Sequence, residues 1–518
     1  MRARWFITIL NVIIINLIFI NSNPALSQGL NEKQIDSLAK RTIQLFQVPG
    51  LEIGIIKGGK LIYSKGFGVR SLNSGQTVDP RTLFGIASNT KAFTAAALGI
   101  LVDQGKIHWD DKVTHYIPEF RLYDNLATRE ITIRDLLCHR SGLATGAGDL
   151  MHDPDSTNFT VKDIIYNLRY IKPSYSFRNK FAYDNNLYLV AGEVIARVSK
   201  MRWEDFVEQQ ILKPLGMVNS AASYNDCKQS LNIIDAHKKI NDSIKVVTRY
   251  TSEKDDAAGG IYSNVEDMSK WMLMLLDHGK YGLNLEHQLL TEQTVNELFS
   301  PQTIIPTGNR GVYHTHFTAY GLGWFLLDVK GYKQVVHTGE DVGMVSEVAM
   351  IPELELGIVV LTNNESNAID AITYQILDSY LDIKGVDESK SSLNRLRSGE
   401  QSAYQEKIKI LSQLNKYPIS APSNKKSYIG TYKDKWFGNI KISLHKKSLW
   451  FASERSPQLR GTLQPLGQNT FYVRWQNPDL DSYAIVIFKI DYKNVVSSFS
   501  FGGTDPYYEG LSFKRIKN

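Results

Sequence analysis

The segment Thr90–Asp103, TKAFTAAALGILVD, is apolar on nearly every face. A helix with one apolar stripe can lie on a surface, but one that is apolar all round has to be enclosed. Gly105 stands where a glycine ends such a helix. The chain therefore needs a fold that wraps a central helix, and the polar residues at its start must sit in low-dielectric surroundings. Those residues are Ser88-Asn89-Thr90-Lys91. Positions three apart share a helix face, so the Lys91 amine lies beside the Ser88 hydroxyl. A serine hydroxyl is a weak nucleophile until a base takes its proton. A lysine is a poor base while it titrates near about 10.4, but burial disfavours the ammonium form and lowers that value. Backbone N–H groups at the helix start can face a developing oxyanion.

The elements around this helix indicate the fold class. Leu51–Ile56 and Leu61–Gly66 read as strands joined by Lys57-Gly58-Gly59-Lys60, a hairpin signal. Val345–Ile351 and Leu356–Thr362 form a second pair around Pro352-Glu353, and Ala368–Leu381 closes the region as a helix. Leu187–Val198 is a further apolar helix between them. Hairpins at both ends with helices between predict an α+β domain over 28–385, not a βαβ repeat. Residues 386–426 turn polar, with an amphipathic helix expected from Ala403 to Leu414 and Pro418 and Pro422 beyond it. We read this stretch as a linker. From 427 to 518 the pattern changes to short alternating runs: Ile440–Leu444, Ser448–Ala452, Phe471–Trp475, Tyr483–Ile490 and Val495–Phe501. Evenly spaced turns between them predict a small antiparallel sandwich or barrel.

At the N-terminus, Arg2 and Arg4 precede an apolar stretch from Trp5 to Ile20, and Ala25-Leu26-Ser27 follows. This is the layout of a signal peptide over 1–27, with an uncleaved signal anchor as the alternative, so the mature chain is expected to be exported, periplasmic or secreted, with no stable membrane span after cleavage. The formal charge of +6 is spread without a concentrated basic patch, and no nucleic-acid partner is expected. Two cysteines, Cys138 and Cys227, do not make a disulfide framework. Cys138 lies in an apolar helical context that suits a buried, inert thiol, while a single bridge between the two is left open.

Three motifs carry chemistry. S-x-x-K alone is unspecific, since Ser37–Lys40, Ser423–Lys426 and Ser443–Lys446 repeat it. The setting of Ser88, between Phe84-Gly85-Ile86-Ala87 and Ala92-Phe93-Thr94, singles it out. Tyr183-Asp184-Asn185 directly precedes the helix Leu187–Val198; a phenol can relay a proton and an amide can hold a carbonyl. His337-Thr338-Gly339 follows Val335-Val336, and there a histidine can orient a polar substrate group while Gly339 allows close backbone approach.

In this order, S-x-x-K, Y-x-N and H-T-G resemble the serine β-lactamase and penicillin-binding-protein superfamily, and Y-x-N points to the class C β-lactamase-like branch with its esterases and D-amino-acid peptidases. Segments such as Leu136–Leu143, Leu212–Met217 and Ala258–Ser263 extend the likeness over nearly all of 31–380. The resemblance implies an antiparallel sheet flanked by helices with a helical subdomain. It implies Ser88 as the acylated nucleophile, Lys91 and Tyr183 as the proton-shuttling pair with Tyr183 accepting from Ser88, and Asn185, His337, Thr338 and Gly339 as substrate-binding residues. The backbone N–H groups of Ser88 and Glu340 take the oxyanion positions. No metal or cofactor is implied.

Three departures shape the expected substrate. His337 stands where true β-lactamases carry a lysine that helps bind the drug carboxylate. Asp184 adds a carboxylate beside the proton-shuttling pair, and the Glu340 side chain biases the site against anionic substrates. The tail resembles a lipocalin-like barrel, with Tyr428-Ile429-Gly430-Thr431-Tyr432 as its opening. The expected activity is an exported serine acyl hydrolase acting on a small ester, amide or peptide. Alternatives are a penicillin-binding protein or DD-carboxypeptidase, a class C-like β-lactamase, or a non-catalytic binding protein that keeps the fold.

Overall fold

A computed structural model describes residues 29–516 apart from 241, 309–310, 417–423, 468, 478–479, 481–483, 493–494 and 503–505. The expected signal peptide, Pro418 and Pro422 lie outside the described residues. Eight strands form one sheet: β1 (Gly50–Lys57), β2 (Lys60–Gly68), β3 (Thr303–Ile305), β4 (Thr318–Tyr320), β5 (Phe325–Val329), β6 (Tyr332–Asp341), β7 (Met344–Ile351) and β8 (Leu356–Thr362). The order is β2-β1-β8-β7-β6-β5-β4-β3, every pairing antiparallel. The first and last strands of the domain thus meet inside the sheet, where β1 pairs β8 with Ile53 opposite Val360.

Strands β7 and β8 are buried at every position. Their side chains alternate between two cores, as the period of two requires. Leu356, Ile358 and Val360 face the core shared with α1 (Glu32–Phe46) and α5 (Ala368–Tyr380), while Val359 and Leu361 face the opposite core. That second core contains α2 (Thr90–Asp103), α3 (Asn186–Ser199) and α4 (Val265–Leu276). Every residue of α2 from Thr90 to Leu101 is buried, and Phe93 stacks on Trp271 of α4 with ring centroids 4.1 Å apart. The all-round apolar pattern of this helix is explained by that enclosure. No described helix is long and apolar enough to cross a membrane.

The stretch after α5 differs from the sequence expectation. It forms one 29-residue helix, α6 (Glu388–Lys416), beginning well before Ala403. Asp387 caps it, its Oδ1 accepting from the Lys390 N–H at 3.1 Å. Leu393 and Leu396 pack against the α1–α5 core, and Ser389 and Ser392 are buried. With two apolar anchors in a Ser- and charge-rich run, the stretch has little helical periodicity to read. Cys138 and Cys227 are both buried and unbridged.

The C-terminal region is a closed barrel of eight strands: β9 (Gly430–Asp434), β10 (Gly438–His445), β11 (Ser448–Ser453), β12 (Arg460–Pro465), β13 (Thr470–Trp475), β14 (Ala484–Ile490), β15 (Val496–Gly502) and β16 (Ser512–Arg515). Each strand pairs with the next, and β16 returns to β9, which closes the edges on each other. Aromatic side chains occupy the inside; Phe499 stacks on Phe513 at 4.6 Å and Phe471 meets Phe488 edge-on at 5.5 Å. The barrel rests on residues 155–167 of the first domain. Asn167 Nδ2 donates to Trp436 O at 3.0 Å, Arg455 pairs with Asp163 at 2.9 Å, and Gln458 Nε2 donates to Asp155 O at 3.0 Å.

Candidate active site

Ser88 lies in a single 3₁₀ turn, Ala87–Asn89, that feeds directly into α2. Ala87 has φ +46°, a left-handed conformation that L-residues adopt at a cost. The surrounding contacts over-determine it. Ile86 N–H donates to Ile261 O at 2.9 Å, and Asn89 Nδ2 donates to Ser346 Oγ at 2.8 Å. Ser346 Oγ donates in turn to Ile86 O at 2.6 Å, tying the turn to β7.

Lys91 is fully buried, and its Nζ donates to Ser88 Oγ and to Ala258 O, each at 2.9 Å. Burial lowers its pKa from 10.5 to about 7, against smaller opposing effects of Asp149, Asp255 and Asp184. The Nζ sits 4.9 Å from the Tyr183 ring centroid and 5.3 Å from that of Tyr188. Burial pushes the Tyr183 phenol well above its usual range, and hydrogen bonding with Ser88 eases this in part. The amine is therefore the group of this pair that is poised to exchange a proton near neutral pH.

Tyr183 is positioned by His139, which lies in the family-like segment Leu136–Leu143 but is not among the expected site residues. His139, itself buried at φ +55°, stacks on Tyr183 with centroids 4.1 Å apart and accepts the Asp184 N–H at Nδ1, 3.1 Å. The Ala182 N–H donates to His139 O at 2.9 Å. Asp184 is turned away from a charge-pairing role. Its Oδ1 accepts the Asn186 N–H at 2.9 Å, and burial with the nearby Asp149 raises its carboxyl to about 8.

Asn185 is held by Asp149, which no sequence motif marks. Asn185 Nδ2 donates to Asp149 Oδ2 at 2.8 Å, and Asp149 Oδ1 also takes Asn186 Nδ2 at 3.0 Å and pairs with His152 at 3.2 Å. Burial raises the Asp149 pKa, but hydrogen bonds from His152 and Asn185 and the His152 charge outweigh it. His152 also lies 3.7 Å from Asp255, and despite burial these carboxylates raise it to about 9. A chain of charge thus runs from Asn185 to the cleft wall. Tyr250 Oη donates to His152 O at 2.6 Å, and Asp155 accepts Thr251 N–H and Oγ1 at 3.1 and 2.8 Å. Asp155 is the residue whose carbonyl the barrel's Gln458 holds.

The cleft at Ser88 has a volume of about 100 Å³ and is lined by Ser88, Asn185, Tyr250, Asp255, Asp256, Tyr262, Glu340 and Asp341 among others. Gly339 backs it by close approach. A Cβ there would lie 2.1 Å from Ile86 O and 2.9 Å from Ser88 N. Gly339→Ala must shift the turn that carries Ser88, and we expect a loss of about 1–3 kcal/mol in stability together with reduced turnover. Denaturant titration beside a steady-state assay checks both.

His337 and Thr338 do not line this cleft. Thr338 is exposed, and both border a separate cavity with Tyr313, Phe325 and Tyr374. The His337 ring is buried 6.4 Å from the Tyr183 ring, its Nε2 bonded with Tyr320 Oη at 2.8 Å and its Nδ1 close to Thr338 O at 2.6 Å. Burial and the Lys91 charge lower it to about 3, so it is neutral. With both nitrogens engaged inside the protein, the ring supports the Tyr183 side of the site from behind. Among the described residues, no group of three His, Cys, Asp or Glu side chains is arranged to hold a metal ion.

Fold and site define an enzyme, a serine hydrolase of β-lactamase-related type. The chain belongs to the Beta-lactamase family, whose model matches residues 36–379. A second model, described as a domain of unknown function (DUF3471), matches 415–515. An unguisins hydrolase from Aspergillus campestris is 28% identical over 366 residues, 68% of this chain and 66% of that protein. Protein Flp of Staphylococcus aureus is 26% identical over 373 residues, 71% of this chain and 70% of its own. The chain thus spans about two thirds of the length of these relatives. The structure of the octameric penicillin-binding protein homologue from Pyrococcus abyssi superposes with a TM-score of 0.60 at 21% identity, covering 93% of this chain and all of that one. SurE superposes with a TM-score of 0.53 at 19% identity, covering 93% and 99%. Both share the fold.

Proposed function

We propose that this chain is an exported serine acyl hydrolase, an esterase or an amidase of D-amino-acid peptide type, working through an acyl-enzyme on Ser88. The observation that carries the reading is the buried Lys91 amine, 2.9 Å from Ser88 Oγ with its pKa brought to about 7. Ser88 Oγ attacks the scissile carbonyl and its proton passes to neutral Lys91. The backbone N–H groups of Ser88 and Glu340 receive the oxyanion. Tyr183 then relays the proton to the leaving group, and water cleaves the acyl-enzyme by the reverse path. Asn185, fixed by Asp149, holds the substrate carbonyl side.

Esters and simple amides are favoured over β-lactams because His337 is neutral and withdrawn from the cleft, so it offers no cation where a drug carboxylate would be held. Short aryl esters should be turned over faster than nitrocefin; the reverse ranking overturns this use of His337.

The acid limb of the pH profile provides a second test. Lys91 takes a proton only as the free amine, and its value in the folded protein is about 7. Activity should therefore rise as pH increases through about 7 and level above it. A kcat/KM profile for an aryl ester that is flat from about one unit below that value to one unit above it would remove Lys91 from the role of base.

A further inference from the structure

The two ends of the barrel differ. One end, with Trp436, Arg455 and Gln458, rests on the first domain. The other is made of the β10–β11, β12–β13 and β14–β15 turns and the segment leading into β9. Lys425 Nζ donates to Lys447 O at 2.8 Å and Tyr428 Oη to Asn469 Oδ1 at 2.7 Å. Arg515 Nη1 ties Ser427 O to Val496 O, at 3.0 and 3.2 Å. These pieces therefore form one surface, facing away from the first domain.

The apolar interior comes to the surface here. On β10 the inward residues Ile440 and Ile442 are buried, and the next of that face, Leu444, is 51% exposed at the mouth. On β14 the buried Val486 and Phe488 lead to an exposed Ile490, and in the turn beyond it Val495 is exposed and Tyr492 is 90% exposed. Five lysines surround these side chains: Lys425, Lys426, Lys446, Lys447 and Lys489. They are scattered along the sequence, and closure of the barrel gathers them. Among the described residues of this end the one acid is Asp491, whose Oδ1 accepts the Val495 N–H at 2.9 Å. Lys446 and Lys447 form the two-residue turn between His445 and Ser448, with φ +46° and +69°. A turn with both central residues left-handed favours Asn-Gly, and lysines hold that conformation at a cost. Positive charge is thus kept at a tip where the turn alone selects against it.

We propose that this end of the barrel docks on the surface of an anionic phospholipid bilayer. Leu444, Ile490, Tyr492 and Val495 enter the headgroup boundary, and the five lysines lie over the lipid charge. A tyrosine suits that depth, with its ring in the apolar layer and its hydroxyl in water. A soluble polyanion would be met by the lysines alone and gives the apolar tips no partner. The β10–β11 and β14–β15 turns stand on opposite sides of the eight-stranded mouth, so their tips can enter one flat surface together. Docking in this way is independent of Ser88 and leaves the first domain, at the other end of the barrel, in water.

Co-sedimentation of the mature protein with vesicles tests it. Phosphatidylcholine vesicles containing about 30% phosphatidylglycerol should bind the protein about tenfold or more tightly than pure phosphatidylcholine, and binding should weaken from about 0.1 M to about 0.5 M salt. Lys446→Asn combined with Lys447→Gly should lower the partition coefficient about 25-fold, at about fivefold per lysine. The same pair should raise the denaturant midpoint, because it relieves the turn, so its loss of binding cannot come from misfolding. Ile490→Ser combined with Val495→Ser should lower the partition coefficient about tenfold. Hydrolysis of a soluble aryl ester should be unchanged in both variants. Absent binding to the anionic vesicles, equal binding to both kinds of vesicle, or binding unmoved by the lysine replacements overturns the proposal. If inorganic polyphosphate displaces the vesicles and the serine replacements leave vesicle binding unchanged, the surface is one for soluble polyanions and lipid docking is likewise overturned.

Discussion

Ser88→Ala is expected to lower kcat/KM toward a short aryl ester by about 10³-fold or more, because it removes the atom that forms the acyl-enzyme. The fold should tolerate it. Ser88 is partly exposed, and the replacement deletes one hydroxyl that accepts from Lys91 at 2.9 Å. Lys91 keeps its second acceptor, Ala258 O. The turn is held by Ile86, Asn89 and Ser346 and not by the Ser88 side chain. Loss of activity with an unchanged unfolding transition is therefore the expected pair of results. A comparable loss accompanied by global unfolding would say nothing for nucleophilic catalysis, and retained turnover would exclude it.

Lys91→Met should move activity and stability in opposite directions. Activity falls by about 10²–10⁴-fold with the loss of a general base. Stability rises. A site that drops an ammonium from 10.5 to about 7 makes the charged form roughly 5 kcal/mol less favourable than in water. The variant forfeits two hydrogen bonds, each worth about 1.5 kcal/mol at the low end for a charged donor, and fills the same buried space with an apolar chain. The net gain should be about 2 kcal/mol. Its pH dependence has a defined sign. The folded value lies below the unfolded one, so the wild type bears the full cost below about pH 7 and sheds it as pH rises from 7 toward 10.5. The advantage of Lys91→Met should shrink over that window. Denaturant midpoints at about pH 6 and about pH 9 check this; a destabilised variant at the lower pH would contradict the burial argument.

Much of this site is legible in the sequence because its parts sit at the starts of regular elements. The all-round apolar pattern of α2 requires enclosure, and enclosure alone sets the Lys91 environment. Tyr183 and Asn185 are marked by the apolar helix that follows them. The paired hairpins of β1–β2 and β7–β8 show through their turn residues and runs of branched side chains. The remainder depends on partners far apart in the chain. Asp149 is a single acid in a loop, and only folding brings it to Asn185, 36 positions away. His337 reads as a turn histidine able to face substrate, but its place on β6 turns the ring toward Tyr320 and Phe325. The length of α6 is hidden because its first half is Ser-rich and docks through two leucines. In the barrel, β9, β12 and β16 lack long apolar runs; pairing with neighbours on both sides makes them strands.

The central claim is that Ser88 is the residue acylated. Treating the mature protein with a fluorophosphonate and measuring intact mass, followed by peptide mapping, tests it directly. We expect one adduct per chain, on the peptide carrying Ser88, formed faster as pH passes upward through about 7 and absent from Ser88→Ala. An adduct that persists in Ser88→Ala, or that maps to another residue, contradicts it.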